Sequence, residues 1–151
     1  MENKFYLSNE DYIKGVSIMI RTCVDFAIVK NKTLLLTKRE IEPNKGMWHF
    51  PGGMVRKGES IKQAADRILT AELGLKPVSM DLVGFTEYLD EKNPEKGLST
   101  HSVALVFKTT LEEGDMKESF QAKEMKFFDA IPQNTILELK EFLEKNWSII
   151  V

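Results

Sequence analysis

A chain of 151 residues with 42% hydrophobic and 29% charged side chains and a formal charge of -2 has the size and composition of one globular domain with a substantial core. That charge balance argues against a nonspecific binder of nucleic acid or of a membrane surface, so any anion site must be local. No apolar run reaches membrane-spanning length, residues 1–11 hold no apolar signal core, and the one cysteine, Cys23, cannot close an internal disulfide, which makes the cytoplasm the expected compartment.

Residues 1–14 are mixed and polar, and Ser8 followed by Glu10 and Asp11 predicts a short helical turn before Gly15. Residues 16–22, 24–29 and 33–38 are rich in β-branched and aliphatic side chains, with Asn31 and Lys32 as a turn, and read as strand and hairpin. Cys23 lies among β-branched and aromatic neighbours, as a buried thiol does rather than a nucleophile. A loop over 40–47 leads to Trp48 and then to the glycine pair of Pro51-Gly52-Gly53, where the backbone is free to come close to a bound anion or metal. Ser60 is a good N-cap, and Gln63 three residues on completes a capping box. The predicted helix starts at Ile61 and ends by Leu73, with Gly74 as its left-handed terminator and Pro77 preventing continuation. Residues 82–89 and 102–109 read as strands. The charged segment 90–100 between them, with Pro94 and Gly97, reads as a surface loop, either a lid or an ordinary hairpin connection. A last strand is expected over 125–128, and after Pro132 an amphipathic helix presents Ile136, Leu139 and Leu143 on one face, with Thr135 and Glu138 available to cap it. Strands with helices on both faces of a mixed sheet make an α/β sandwich.

Seven residues fall at fixed spacing over 53–75: Gly53, Glu59, Arg67, Leu69, Glu72, Gly74 and Leu75. This stretch resembles the box of the Nudix hydrolases, which runs G-x5-E-x7-R-E-U-x-E-E-x-G-U with U a bulky aliphatic. The resemblance implies an α/β/α sandwich with a mixed sheet over a single domain, 1–151. It further implies Mg²⁺-dependent hydrolysis of a nucleoside diphosphate linked to another group, with Mn²⁺ as an alternative metal. Two positions depart, Ile68 and Ala71 standing where ordinary members carry metal-binding glutamates. Positions 68, 71 and 72 share one helical face, so only Glu72 remains there to ligate, and a cluster of two or three metals cannot be held.

Outside the box the chain is similar to the GDP-mannose mannosyl hydrolase branch, in Leu7, Glu10, Asp11 and Tyr12, in Asp25-Phe26, in Lys38-Arg39 and in Thr100-His101. That likeness implies one Mg²⁺ held by the Gly52 carbonyl, Glu72 and Gln121. It also implies Asp25 on the substrate, and Arg39 and Arg67 both binding substrate and stabilising charge on the leaving diphosphate. A nucleotide sugar is the substrate this points to, and a homodimer paired through the N-terminal segment, with Phe5, Tyr6 and Tyr12, is the expected assembly. The chain departs from the branch at Met54, Ser102 and Ala122. Ala122 stands in place of the branch's histidine base, which leaves Glu124 as the candidate base, with His101 as another, and lowers the activity expected toward GDP-mannose. His49 is expected to be a strand residue. The alternative to an enzyme is a catalytically weak nucleotide-binding or sensing protein on the same fold.

Overall fold

The computed structural model describes residues 7–117 and 124–151, and its element order is α1 (Asn9–Ile18), β1 (Arg21–Lys30), β2 (Thr33–Lys38), β3 (Trp48–His49), β4 (Gly52–Met54), α2 (Ile61–Leu73), β5 (Pro77–Asn93), β6 (Leu98–Leu111), β7 (Glu124–Phe128) and α3 (Leu137–Ile150). Among the described residues seven strands form one mixed sheet in the order β3-β2-β1-β6-β5, with β4 paired to β1 and β7 to β2. β1 and β6 run parallel from Arg21↔Ser102 to Ile28↔Thr109, and the other pairs are antiparallel. The expected α/β sandwich is the observed one. No helix among the described residues is long and apolar enough to cross a membrane.

Alternation along β1 sorts its side chains to two cores. Val24, Phe26 and Ile28 join Leu35, Ala64, Ala65, Ile68, Leu69 and Leu73 under α2. Ala27, with Leu34, Leu36, Ala104, Val106, Leu139 and Leu143, forms the second core under α3. Along one edge β1 keeps β6 from Arg21 to Ile28, but along the other it is paired first with β4, at Cys23–Asp25, and then with β2, at Val29 and Lys30. The sheet is therefore forked at the middle of β1.

α2 has the predicted bounds. The Ser60 hydroxyl accepts from the Gln63 N–H at 3.2 Å, the Gln63 side chain accepts from the Ser60 N–H at 2.8 Å, and Gly74 closes the helix with φ +75°. Three expectations are corrected. Residues 16–18 are helical, because Ser8 caps a helix that continues to Ile18 and buries Val16, and burial outweighs β propensity. Most of 90–100 belongs to strands: β5 runs to Asn93 and β6 starts at Leu98, and the tip between them is closed by the Lys96 N–H donating to Asn93 Oδ1 at 3.0 Å. Thr135 does not cap α3, since its hydroxyl donates to the Pro132 carbonyl at 2.7 Å and Ile136 occupies the N-cap without a side-chain bond.

Candidate active site

The site is organised by the pairing of β1 with β4. The Phe26 N–H donates to the Pro51 carbonyl at 2.9 Å, so the neighbouring pair Asp25↔Gly52 is a non-hydrogen-bonded one, in which side chains come closest. A Cβ on Gly52 would overlap Asp25 Oδ1 and the Val24 carbonyl oxygen, so the Asp25 carboxylate lies where that side chain would be. At the same position the Gly52 N–H turns away from β1 and donates to Glu72 Oε2 at 3.3 Å. Ile68, one turn earlier on the same face of α2, is buried against Gly53, and that packing delivers Glu72 to the open edge of β4. Gly52 is thus the meeting point of two carboxylates that the sequence separates by 47 residues.

Both acids hold their protons tightly. Burial, then the charges of Glu72 and Glu91, push Asp25 up to about 8, against a hydrogen bond from Tyr88 that lowers it. Burial pushes Glu72 up to about 7, against the Gly52 N–H and the charge of Arg39. Arg39 follows β2 and opens a compact loop in which its N–H donates to the Met47 carbonyl at 3.0 Å and its Nε to the Pro43 carbonyl at 2.5 Å. Its terminal amino groups have no partner among the described residues, and it lines the same cavity as Asp25. That cavity encloses about 380 Å³ between β1, β4, β5, β6 and the 41–43 segment, with Gly52, Met54, Tyr88 and Glu91 also on its wall.

Asp25, Arg39 and Gly52 line one cavity, and Glu72 joins them through the Gly52 N–H. Arg67 lies elsewhere: Nε and Nη2 grip the two oxygens of Glu59 at 2.6 and 2.8 Å, and Nη2 also donates to the Met54 carbonyl at 2.9 Å. That grip holds Glu59 down at about 2. Glu124 stands at the start of β7, half exposed, in an ion pair with Lys38 at 3.0 Å, and does not line the cavity. Gln121 and Ala122 lie outside the described residues. His49 is in β3, with Nε2 3.3 Å from Thr37 Oγ1, and burial pushes it down to about 3, so it is neutral at physiological pH. His101 is in β6, with Nε2 buried and without a partner among the described residues, away from the cavity.

Three wall residues were not singled out by the sequence. Tyr88 is buried, lines the cavity with Asp25 and lowers the proton affinity of that carboxyl. Arg21 and Glu91 form an ion pair at 3.1 Å, both largely buried. Alternation from Asp25 back through Cys23 to Arg21 was the available signal for Arg21. Register shifts in β5 between Tyr88 and Glu91 break the equivalent pattern there.

A divalent cation that prefers oxygen needs several such ligands carrying net negative charge. Two carboxylates with raised proton affinity and an open backbone edge at Gly52 suit one such ion, lightly held. Among the described residues no three His, Cys, Asp or Glu side chains converge into a fuller set.

Comparison with known proteins covers the region that carries these groups. The NUDIX domain family matches residues 19–148. The chain is 35% identical over 106 residues to an ADP-ribose pyrophosphatase of Methanocaldococcus jannaschii, a match covering 70% of this chain and 60% of that protein's length. It is 32% identical over 107 residues to the low-salt glycan biosynthesis protein Agl8 of Haloferax volcanii, covering 70% and 69%. Among solved structures, a MutT NUDIX hydrolase from Burkholderia pseudomallei matches with a TM-score of 0.73 at 27% identity, covering 83% of this chain and 97% of that one. A MutT protein from Methanosarcina mazei Go1 shares the fold, with a TM-score of 0.72 at 23% identity, covering 86% and 94%.

Proposed function

We propose that this chain, which belongs to the NUDIX domain family, is a hydrolase of a nucleoside diphosphate linked to a sugar, acting as a single domain over 1–151 in the cytoplasm. The observation that carries this reading is the convergence of Asp25 and Glu72 on Gly52, beside a cavity into which Arg39 presents unpartnered amino groups. NUDIX hydrolases work with a divalent metal ion. Here Glu72 and the Gly52 backbone would hold it, with Gln121 as a further ligand, and Mg²⁺ or Mn²⁺ fits an all-oxygen set. When bound, such an ion polarises phosphate oxygens and offsets the charge of the diphosphate.

The protein's own groups divide the remaining work. Arg39 is anchored through Nε, which leaves its planar fork to take diphosphate oxygens two at a time. Asp25, on the cavity wall with Tyr88, accepts a hydrogen bond from a substrate hydroxyl or from water. Arg67 serves by position: it ties Met54, on the cavity wall, to α2 through Glu59 and the Met54 carbonyl. Glu124, on β7 and paired with Lys38 of β2, is not the base in this arrangement. The names of two relatives support a sugar-linked substrate, since ADP-ribose is itself a nucleoside diphosphate joined to a sugar and the second is named for glycan biosynthesis.

The test is a screen of nucleotide sugars, dinucleotides and nucleoside triphosphates with Mg²⁺ and with Mn²⁺, read by the products released. Nucleoside monophosphate with sugar phosphate indicates attack at phosphorus, and nucleoside diphosphate with free sugar indicates attack at carbon when the oxygen of isotopically labelled water is recovered on the sugar. Binding of these ligands without any turnover would favour a nucleotide sensor instead.

A further inference from the structure

The wall of the cavity away from Glu72 holds a second device. Arg21, Cys23 and Asp25 alternate along one face of β1, and at roughly 3.3 Å per residue Arg21 is about 13 Å along the strand from Asp25. The Arg21 guanidinium is fully engaged. Nε donates to Ser102 Oγ at 3.0 Å, Nη1 to the Tyr12 hydroxyl at 3.2 Å, and Nη2 to Ser102 Oγ, Thr100 Oγ1 and Glu91 Oε2 at 2.6, 2.9 and 3.1 Å. Its charge is matched by Glu91 and its donors point at internal partners, so it is not a receptor for phosphate. Glu91 is the complement. Arg21 fixes Oε2, while Oε1 has no partner among the described residues and the side chain, 14% exposed, lines the cavity. A carboxylate held rigidly with one oxygen open to a cavity accepts hydrogen bonds from hydroxyls and repels anions. Lys96, the other cation at this end, is exposed, with Nζ 5.6 Å from the Tyr12 ring centre, and solvent screens it.

We propose that Glu91, positioned by Arg21, is the residue that selects the group attached to the diphosphate, accepting a hydrogen bond from a sugar hydroxyl and excluding a third phosphate. The proposal rests on the reading of this cavity as the diphosphate site. A site built to hydrogen-bond a hydroxyl rejects a ligand that cannot supply one far more strongly than an apolar pocket does. With Asp25 and Glu91 on one wall and Arg39 the guanidinium with open amino groups, the cavity matches the charge of a diphosphate ester better than that of a triphosphate.

The test measures dissociation constants by calorimetry, with Ca²⁺ in place of Mg²⁺, for three base-matched pairs: ADP-ribose and ATP, GDP-mannose and GTP, UDP-glucose and UTP. The unmodified protein should bind the sugar member at least about tenfold more tightly in the pair whose base it accepts. Glu91→Gln keeps the shape, removes the charge and leaves Arg21 without its counter-ion. It should weaken the sugar ligand and strengthen the triphosphate, reducing their ratio by tenfold or more, and a structural loss would not move the two in opposite directions. Equal or tighter binding of the triphosphate in every pair by the unmodified protein overturns the proposal without any variant. So does a Glu91→Gln ratio equal to that of the unmodified protein. Arg39→Gln separates the two levels of inference: it should weaken all ligands that bind. If it changes none of them, or if no ligand binds the unmodified protein, the cavity is not the diphosphate site and both readings fall. If it weakens all while the Glu91→Gln ratio is unmoved, only the selective role of Glu91 falls.

Discussion

Gly52 is the residue at which Asp25 and Glu72 meet, and a single methyl group tests that meeting. Gly52→Ala would thrust a Cβ into Asp25 Oδ1 and the Val24 carbonyl. Overpacking of this kind costs about 1–3 kcal/mol, so the variant should fold with a lowered melting temperature. Its kcat/KM should fall a hundredfold or more, because Asp25 is displaced from its place beside Glu72. Unchanged kinetics in a folded Gly52→Ala protein would separate this pairing from catalysis. Glu72 and Asp25 also predict a pH dependence. Their folded values are raised, so the stability they contribute is full below about 4, where the unfolded carboxylates are protonated, and is lost as pH rises through about 7 and 8. Melting temperatures of the metal-free protein should decline between pH 5 and pH 8.5, and Glu72→Gln should flatten that decline while abolishing metal-dependent turnover. A steeper decline in Glu72→Gln would contradict the assignment. Glu72, Gly52, Asp25 and Arg39 were legible because their spacing or their local pattern resembles a known box and branch. Tyr88 and Glu91 were not, since they meet the β1 residues only through sheet pairing across more than 60 residues of sequence, and Arg21 carried only the alternation of β1 as a signal.

Among the elements, α2 was the most legible, because a capping box, a regular apolar stripe and a left-handed glycine all indicate the same bounds. The boundary of α1 with β1 was the least legible, since Val16, Ile18 and Ile20 carry strand propensity while the Ser8 cap and the burial of Val16 favour a helix up to Ile18. The β5–β6 tip was hidden by its charge: Asp90, Glu91, Lys92 and Lys96 read as loop, yet strand pairing continues through Glu91↔Thr100 to Asn93↔Leu98. The segment from Met54 to Glu59 depends on side chains for its attachment to α2. Glu59 receives the Arg56 N–H at 2.9 Å and both Arg67 contacts. Its folded value is depressed to about 2, so this contribution is present above the ordinary carboxylate range and is lost as pH falls from about 4.5 through 2. Glu59→Gln should therefore lower the melting temperature at pH 7 and much less at pH 2, the reverse of the window set by Asp25 and Glu72. Its kcat should fall with it if Met54 is held in place by this grip. Full activity in Glu59→Gln would restrict Arg67 and Glu59 to stability.

For the molecule as a whole, among the described residues on the N-terminal side, exposed apolar side chains gather at the two ends of α1. Leu7, Ile18, Met19 and Ile20 are 57–74% exposed, and such a cluster is commoner at interfaces than on isolated monomers. Tyr12, expected at a dimer contact, lines the end of the cavity, and its hydroxyl oxygen accepts from Arg21 Nη1 at 3.2 Å; Phe5 and Tyr6 lie outside the described residues. The homodimer is therefore predicted to form around these α1 residues. Light scattering at micromolar concentration should return twice the chain mass, and Ile18→Glu with Met19→Glu should return one. A monomeric unmodified protein would reject this assembly.

The forked pairing of β1 has a further consequence for how such a protein changes over time. Asp25, Gly52 and Glu72 hang on the branch made by β1, β4 and α2, whereas Arg21 apart, the residues facing them belong to the β5–β6 end and to the 39–47 loop, which Asn93 joins by donating to the Glu42 carbonyl at 3.3 Å. The two sets occupy separate segments, the 39–47 loop lying between β1 and β4 and the β5–β6 end lying after α2. Insertions, deletions and point changes in the second can retune which molecules are admitted while the first stays intact, and the reverse also holds. One scaffold can in this way acquire a new clientele without relearning its chemistry.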